Sequence, residues 1–324
     1  MRISRERLLE EAEGTGFRPD VLEKVIQLLN LLGALRGHPF LTEKLVLKGG
    51  SALNLFFLDA PRLSVDIDLN YVGAADRDHM IAERPQIDQA VQVVCAREGF
   101  EVRRMPGDEH AGGKWSLRYE SAFGQRGNLE LDLNFMFRVQ LWPAHVMDSR
   151  PLGSFRAHGV SVLNIHELAA GKLAALMSRR QPRDLFDVQE IFRIGEFDRE
   201  RLRIAFVAYG AMNRKDWRTI SPADIDIDAG EIETQLVPLL RADLRQGRKA
   251  MSDLAVELRD ACRRALSEVF PFSESEMSFL NLLLDKGEIE PALLTSDENL
   301  QGKIKMHPML EWKAQNVRAF KKLI

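Results

Sequence analysis

Two short stretches constrain this chain more than anything else in it. Ser64-Val65-Asp66-Ile67-Asp68-Leu69-Asn70 alternates with period two, so Val65, Ile67 and Leu69 fall on one side and Asp66, Asp68 and Asn70 on the other. Farther along, Leu129, Leu131, Leu133 and Phe135 alternate in the same way with Glu130, Asp132 and Asn134. This pattern is that of a β-strand with one face in a core and the other open. A sheet holding both strands would bury a leucine-rich face and present acids on the opposite one.

The surroundings supply the rest of such a sheet. Leu45-Val46-Leu47 reads as a short apolar strand that runs into Lys48-Gly49-Gly50-Ser51, after which 52–58 reads as a helix. Further strands are predicted at 101–104, 114–120 and 128–137. Two helices are predicted over 4–36, broken at Gly14-Thr15-Gly16, and a third over 84–98. From about residue 165 the periodicity turns helical, with segments at 166–179, 183–194 and 199–209, and a long one at 229–246 merging into 248–269. Pro151, Gly153 and Gly159 cluster near the change of pattern. The expected architecture is therefore α/β of the α+β kind: a mixed sheet flanked by helices over 1–155, then a mostly helical domain over 156–324.

Composition narrows the classes. A chain of 324 residues is long enough for two cores. Its net charge of −3 provides no global basic field, so a nucleic-acid partner would have to be met by local patches. Cys95 and Cys262 lie far apart, with neither disulfide nor metal spacing, which predicts a reducing cytosol. The opening MRISRERLLEEAEGTGF lacks the apolar core of a signal peptide, and no run approaches eighteen apolar residues, so a soluble, cytoplasmic protein without membrane partners is expected.

The chemistry is carried by three groups of residues. Asp66 and Asp68 share a strand face with backbones about 7 Å apart. Two carboxylates so placed raise each other's pKa, a conflict that a divalent cation removes. Mg2+ suits such a site because it takes few protein carboxylates and completes its shell from substrate phosphates and water. By itself Asp-x-Asp reads more readily as a structural or solvated surface pair. Upstream, a strand, then Gly49-Gly50-Ser51, then a helix offers backbone N–H groups to an anion, with Ser51 as N-cap and phosphate donor. It is not a Walker A loop. If the two alternating strands are neighbours, Asp132 joins Asp66 and Asp68 on one face, the arrangement for metal-assisted phosphoryl transfer. Asp132 otherwise reads as an ordinary exposed strand residue.

Taken together, Lys48-Gly49-Gly50-Ser51-Ala52-Leu53 and Arg62-Leu63-Ser64-Val65-Asp66-Ile67-Asp68-Leu69 resemble the polymerase-beta-type nucleotidyltransferase superfamily. More narrowly, they resemble the AbiEii/AbiGii (MenT-like) toxins of abortive-infection and type IV toxin–antitoxin systems. Two further segments match: Glu130-Leu131-Asp132-Leu133, and the helical pair 166–173 and 183–188. The resemblance spans 48–188. It implies an Mg2+-dependent nucleotidyltransferase with a polymerase-beta-like core. In it Asp66 and Asp68 bind metal, Asp132 is a third carboxylate, and Lys48, Gly49, Gly50 and Ser51 hold nucleotide phosphates. Lys172 and Asp187 match the family's essential lysine and aspartate. Lys172 would serve the nucleotide and catalysis; without the family match it reads as a snorkelling surface lysine. Arg183 and Asp184 would open their helix or pair with each other.

The implied reaction moves a nucleoside monophosphate from an NTP to the 3′ end of tRNA, blocking translation, with an AbiEi-like antitoxin as partner. Two alternatives use the same residues: nucleotidyl transfer to a protein hydroxyl, and a non-catalytic scaffold that binds nucleotide or antitoxin. Other features carry less. Asp224-Ile225-Asp226-Ile227-Asp228 is not an EF-hand loop, and no His-Glu-x-x-His motif occurs. Basic residues gather at Lys303, Lys305, Lys313, Arg318, Lys321 and Lys322, and at Arg241, Arg245, Arg248 and Lys249. Each group reads either as a solvated face or as a contact for an RNA backbone.

Overall fold

The structure is a computed structural model that describes residues 3–107, 111–195, 197–245 and 251–321. The chain forms two compact units. The first comprises Met1–Arg138, Ala144–Leu163 and Thr234–Arg248; the second comprises Val139–Pro143, Asn164–Glu233 and Lys249–Ile324.

The first unit opens with α1 (Arg5–Thr15) and α2 (Pro19–Gly37), separated where Gly16 adopts φ 73° and ends α1. Then come β1 (Leu45–Lys48), the short α3 (Gly49–Ala52) continued by a π-turn over Leu53–Phe57, and β2 (Asp66–Tyr71). After α4 (Arg77–Arg97) follow β3 (Glu101–Arg104), β4 (Gly112–Glu120), β5 (Arg126–Asn134), β6 (His145–Met147) and β7 (Val160–Val162). The helix α4 starts well before the predicted 84, because the Asp76 side chain caps it by accepting from His79 N at 2.9 Å. At the other end of the sheet's polar stretch, Asn134 stops β5 short of 137 by accepting from the amides of Met136 and Phe137.

The seven strands form one mixed sheet in the order β3-β4-β5-β2-β1-β7-β6. Two parallel pairings, β2 with β5 and β1 with β7, interrupt an otherwise antiparallel ladder. One face carries Leu45, Leu47, Ile67, Leu69, Tyr71, Trp115, Leu117, Leu129, Leu131 and Leu133, all buried. The helix α2 packs against β5 and β7, and α4 against α2 and β3. Full burial of each large side chain is worth about 1.5–3 kcal/mol. A one-residue slip of any strand would turn that set outward, so the apolar alternation fixes the register.

The second unit is helical: α5 (Ile165–Arg179), α6 (Pro182–Ile194) and α7 (Arg199–Ala211) come first. The long helix predicted from 229 onward does not form. Instead α8 (Ala229–Gln235) gives way to a 3-10 turn at Val237–Leu239 containing Pro238, and α9 (Ala242–Arg245) is a separate turn in the first unit. The reason is that Leu240 is extended and bridges Arg62, while Leu239 O accepts from Leu63 N at 2.9 Å. The predicted merger at 246–250 lies outside the described residues. Then follow α10 (Met251–Leu266), α11 (Glu274–Asn281), α12 (Glu298–Lys305) and α13 (Pro308–Phe320). The core of this unit forms where α5 packs on α6 and α7, and α6 on α10. Both cysteines are free and buried, and no described helix is long and apolar enough to cross a membrane.

Candidate active site

Strand order converts the two acidic alternations into a single polar face. In the parallel pairing of β2 with β5, Asp66 stands opposite Glu130, Asp68 opposite Asp132 and Asn70 opposite Asn134. The rung through Asp68 continues in both directions: Lys48 on β1 pairs with Asp68, and Lys114 on β4 pairs with Asp132. Across four strands it therefore reads lysine, aspartate, aspartate, lysine. The sequence reading required adjacent strands for Asp132 to share a face with Asp66 and Asp68, and the two strands are adjacent.

Burial holds the Asp132 carboxyl above the usual carboxylate range; Asp68 and Glu130 push it further up, while Lys48 and Lys114 oppose the shift. Two in-register acids with a desolvated member form a donor set that favours a cation, because only a positive charge relieves both burial and repulsion. Among the described residues no three acid, histidine or cysteine side chains are drawn together as a ready ligand cluster. A hard cation such as Mg2+ fits this arrangement, since it needs one or two carboxylates and takes its remaining oxygens from water and phosphate.

The Lys48-Gly49-Gly50-Ser51 turn is fastened to the same face. Gly49 adopts φ 73°, and a Cβ there would overlap the Asp68 carboxylate. At Gly50 a Cβ would lie 2.7 Å from Ser64 Oγ and 3.1 Å from Arg62 Nη2. Both glycines thus permit close packing of the turn onto the acidic strand and the segment before it. Ser51 departs from its expected place. The N-cap of α3 is Lys48, not Ser51; Ser51 is fully buried, and its hydroxyl donates to the Asp66 carbonyl at 2.5 Å. It ties the turn to the strand from below. Lys48 Nζ lies 5.3 Å from the centre of the Phe137 ring.

In the second unit, Lys172 and Asp187 prove to be direct partners. The side chain of Asn164 caps α5 and Gln181 precedes Pro182 at the start of α6, so the two helices run side by side. Lys172 Nζ stands 2.7 Å from Asp187 and 3.3 Å from Asp184. Both aspartates are buried, and Arg179 donates to Asp184 at 2.7 and 3.0 Å. Burial raises the Asp184 carboxyl, but Lys172 and Arg179 outweigh it and hold the group below the usual range. Arg183 and Asp184 stand in the first turn of α6, one of the two places expected for them, and Asp184 pairs with Lys172 and Arg179 rather than with Arg183. Also on α5, Glu167 accepts from the amides of Leu141 and Trp142 at 3.1 Å each and from Tyr209 Oη at 2.5 Å. Its carboxyl is raised, chiefly by burial.

Most described members of the remaining acidic and basic runs make contacts within the fold; Lys305 is exposed. Asp224 closes a capping box with Ser221, Asp226 accepts from Ile227 N, and Asp228 from Gly230 N and Glu231 N. Lys303 donates to Leu141 O, Lys313 to Asn213 O and Arg318 to Gly287 O, while Lys321 pairs with Asp285. Arg241 binds Asp243 and the Asp59 carbonyl, and Arg245 the Gly16 carbonyl. Neither basic run is a simple solvated face. Lys322, Arg248 and Lys249 lie outside the described residues. Conversely, no motif pointed to Lys114; the clue was the polar side of the Trp115, Leu117, Tyr119 alternation, which becomes meaningful only once β4 is placed beside β5.

A mixed sheet with a glycine turn packed against a two-strand acidic face is the arrangement that the resemblance to nucleotidyltransferases implied. Comparison with known proteins agrees. The family model described as "Nucleotidyl transferase AbiEii toxin, Type IV TA system" matches residues 30–275. The chain belongs to this nucleotidyltransferase toxin family. In fold it is similar to MenT4, a nucleotidyltransferase toxin from Mycobacterium tuberculosis H37Rv, with a TM-score of 0.56 and 17% identity over 97% of this chain and 99% of that one. No curated protein matches it in sequence.

Proposed function

We propose that this protein transfers a nucleoside monophosphate from an NTP to the 3′ end of tRNA, using Mg2+, and thereby blocks translation until a cognate AbiEi-like antitoxin restrains it. The observation that supports this reading best is the rung Lys48–Asp68–Asp132–Lys114, with the glycine turn packed against Asp68, in a chain of the AbiEii family. Asp66, Asp68 and Asp132 would hold Mg2+, which supplies a lowered pKa for the attacking hydroxyl and charge relief at the transferring phosphorus. Lys48 and the backbone of Gly49 and Gly50 would take the phosphates, with Ser51 keeping that turn in place through Asp66. The acceptor hydroxyl gives up its proton to solvent as its oxygen bonds to the α-phosphorus, the bond from that phosphorus to the α,β-bridging oxygen breaks, and pyrophosphate leaves. We assign Lys172 to nucleotide phosphates, the role carried over from the family match, and Asp187 to orienting it, on the strength of their 2.7 Å ion pair.

The test is incubation of the protein with each labelled NTP, Mg2+, and either total tRNA or total cellular protein. The expected result is label at tRNA 3′ ends that disappears with Asp66→Ala or Asp68→Ala. Label found only in protein would replace the acceptor. Absence of transfer to either would remove the activity.

A further inference from the structure

On its β4 side the central rung ends in a lysine that carries no assigned role. Lys114 stands across from Asp132 as Lys48 stands across from Asp68, so the two aspartates are bracketed by one ammonium on each side. Lys114 Nζ donates to Glu130 Oε2 at 2.9 Å, and Glu130 is itself the acid opposite Asp66. The side chains of this pair are 66% and 50% exposed, so the bridge contributes little to stability. Its placement is of more use than its strength. Four carboxylates of neighbouring rungs would repel a polyanionic triphosphate, and cations on both flanks offset that repulsion.

We propose that Lys114 is a nucleotide-binding residue that takes an NTP phosphate at the β4 edge of the acidic face, Glu130 holding its ammonium over that face beforehand. This rests on the reading of the face as the metal–NTP site. The hydrogen bond to Glu130, and the fields of Glu130, Asp66 and Asp132, raise the lysine's pKa and keep it charged. A lysine relayed between a carboxylate and an incoming phosphate needs only side-chain rotation, since its stem is long and its head is in solvent.

The test compares wild type, Lys114→Ala and Lys114→Arg by titration with α,β-methylene NTP analogues and Mg2+. It adds KM and kcat for transfer, and binding of Mn2+ alone followed by its EPR signal. Loss of one charge-assisted contact should weaken the analogue about ten-fold. KM should rise more than kcat falls, arginine should restore most of the loss, and Mn2+ alone should bind Lys114→Ala at least as tightly as wild type. Wild-type KM and affinity in Lys114→Ala would overturn the assignment. So would a parallel loss of Mn2+ binding, which would make the lysine a support of the metal site. If wild type itself fails to bind any analogue with Mg2+, the reading of the whole face falls, and Lys114 with it.

Discussion

The carboxylate of Asp68 fills the space that a side chain on residue 49 would need. Gly49 also sits at φ 73°, where an L-residue costs about 1–2 kcal/mol. Gly49→Ala should therefore lower the melting temperature modestly and lose most transfer activity, since the new methyl must displace Asp68. Thermal melts with a transfer assay check this; a variant with wild-type turnover would separate the turn from the acidic face.

Ser51 makes the complementary contact, from its buried hydroxyl to the Asp66 carbonyl. Ser51→Ala should cost about 1 kcal/mol of stability and reduce kcat more than it raises KM. A rise in KM alone would mean that the hydroxyl serves the nucleotide directly, as the sequence had suggested.

Asp132 should be a liability when ionised. Its carboxyl is raised above the usual range by burial, with Asp68 and Glu130 adding to the effect. The folded state therefore keeps this proton to a higher pH than the unfolded state. Stability falls as pH climbs from the unfolded pKa through the folded one. Asp132→Asn should melt higher than wild type at neutral pH, while Mg2+ should stabilise wild type and have less effect on the variant. Equal melting temperatures across that range would show that the acid is not strained.

The Lys172 cluster has the opposite sign. Asp184 is held below the usual range by Lys172 and Arg179 against the pull of burial, so its contribution is present above the unfolded pKa and lost as pH falls through the folded one. Lys172→Ala leaves two buried carboxylates without that ammonium and should cost about 3–5 kcal/mol in addition to activity. Lys172→Arg should recover much of the stability. Urea titration at several pH values separates the two effects.

Charge reversal at Lys313 or Arg318 should act on the fold before it acts on any substrate. Burial lowers the Lys313 pKa, and both side chains donate to backbone carbonyls. Lys313→Glu and Arg318→Glu should each lower the melting temperature, whereas the exposed Lys305→Glu should not. A stable Lys313→Glu with impaired tRNA modification would return this segment to the RNA path.

These last cases show where sequence reasoning reaches and where it stops. Period-two alternation marked the acidic strands because side-chain direction in a strand depends on the local backbone alone. The pairing of Asp68 with Asp132 needed strand order, a long-range property, and the role of Ser51 needed to know what lay beneath it. Basic residues at 303–321 look solvated in one dimension because a lysine's partner can be a carbonyl a hundred residues or more away, as Lys313 with Asn213 and Lys303 with Leu141 illustrate. The broken helix at 229–245 failed locally for a distant cause, the bridge between Leu240 and Arg62.

The parallel pairing of β2 and β5 matches acid to acid at two successive positions and amide to amide at the third. Neither strand by itself brings more than its own acids to bear, so the cation's preferred environment exists only when both have docked. Any ion that binds there selects the docked sheet over all less complete ones, and it adds to the free energy of folding as the logarithm of its concentration relative to its dissociation constant. Divalent-ion titration thereby becomes a gauge of whether the central strands of this molecule have closed, independent of any chemistry that follows.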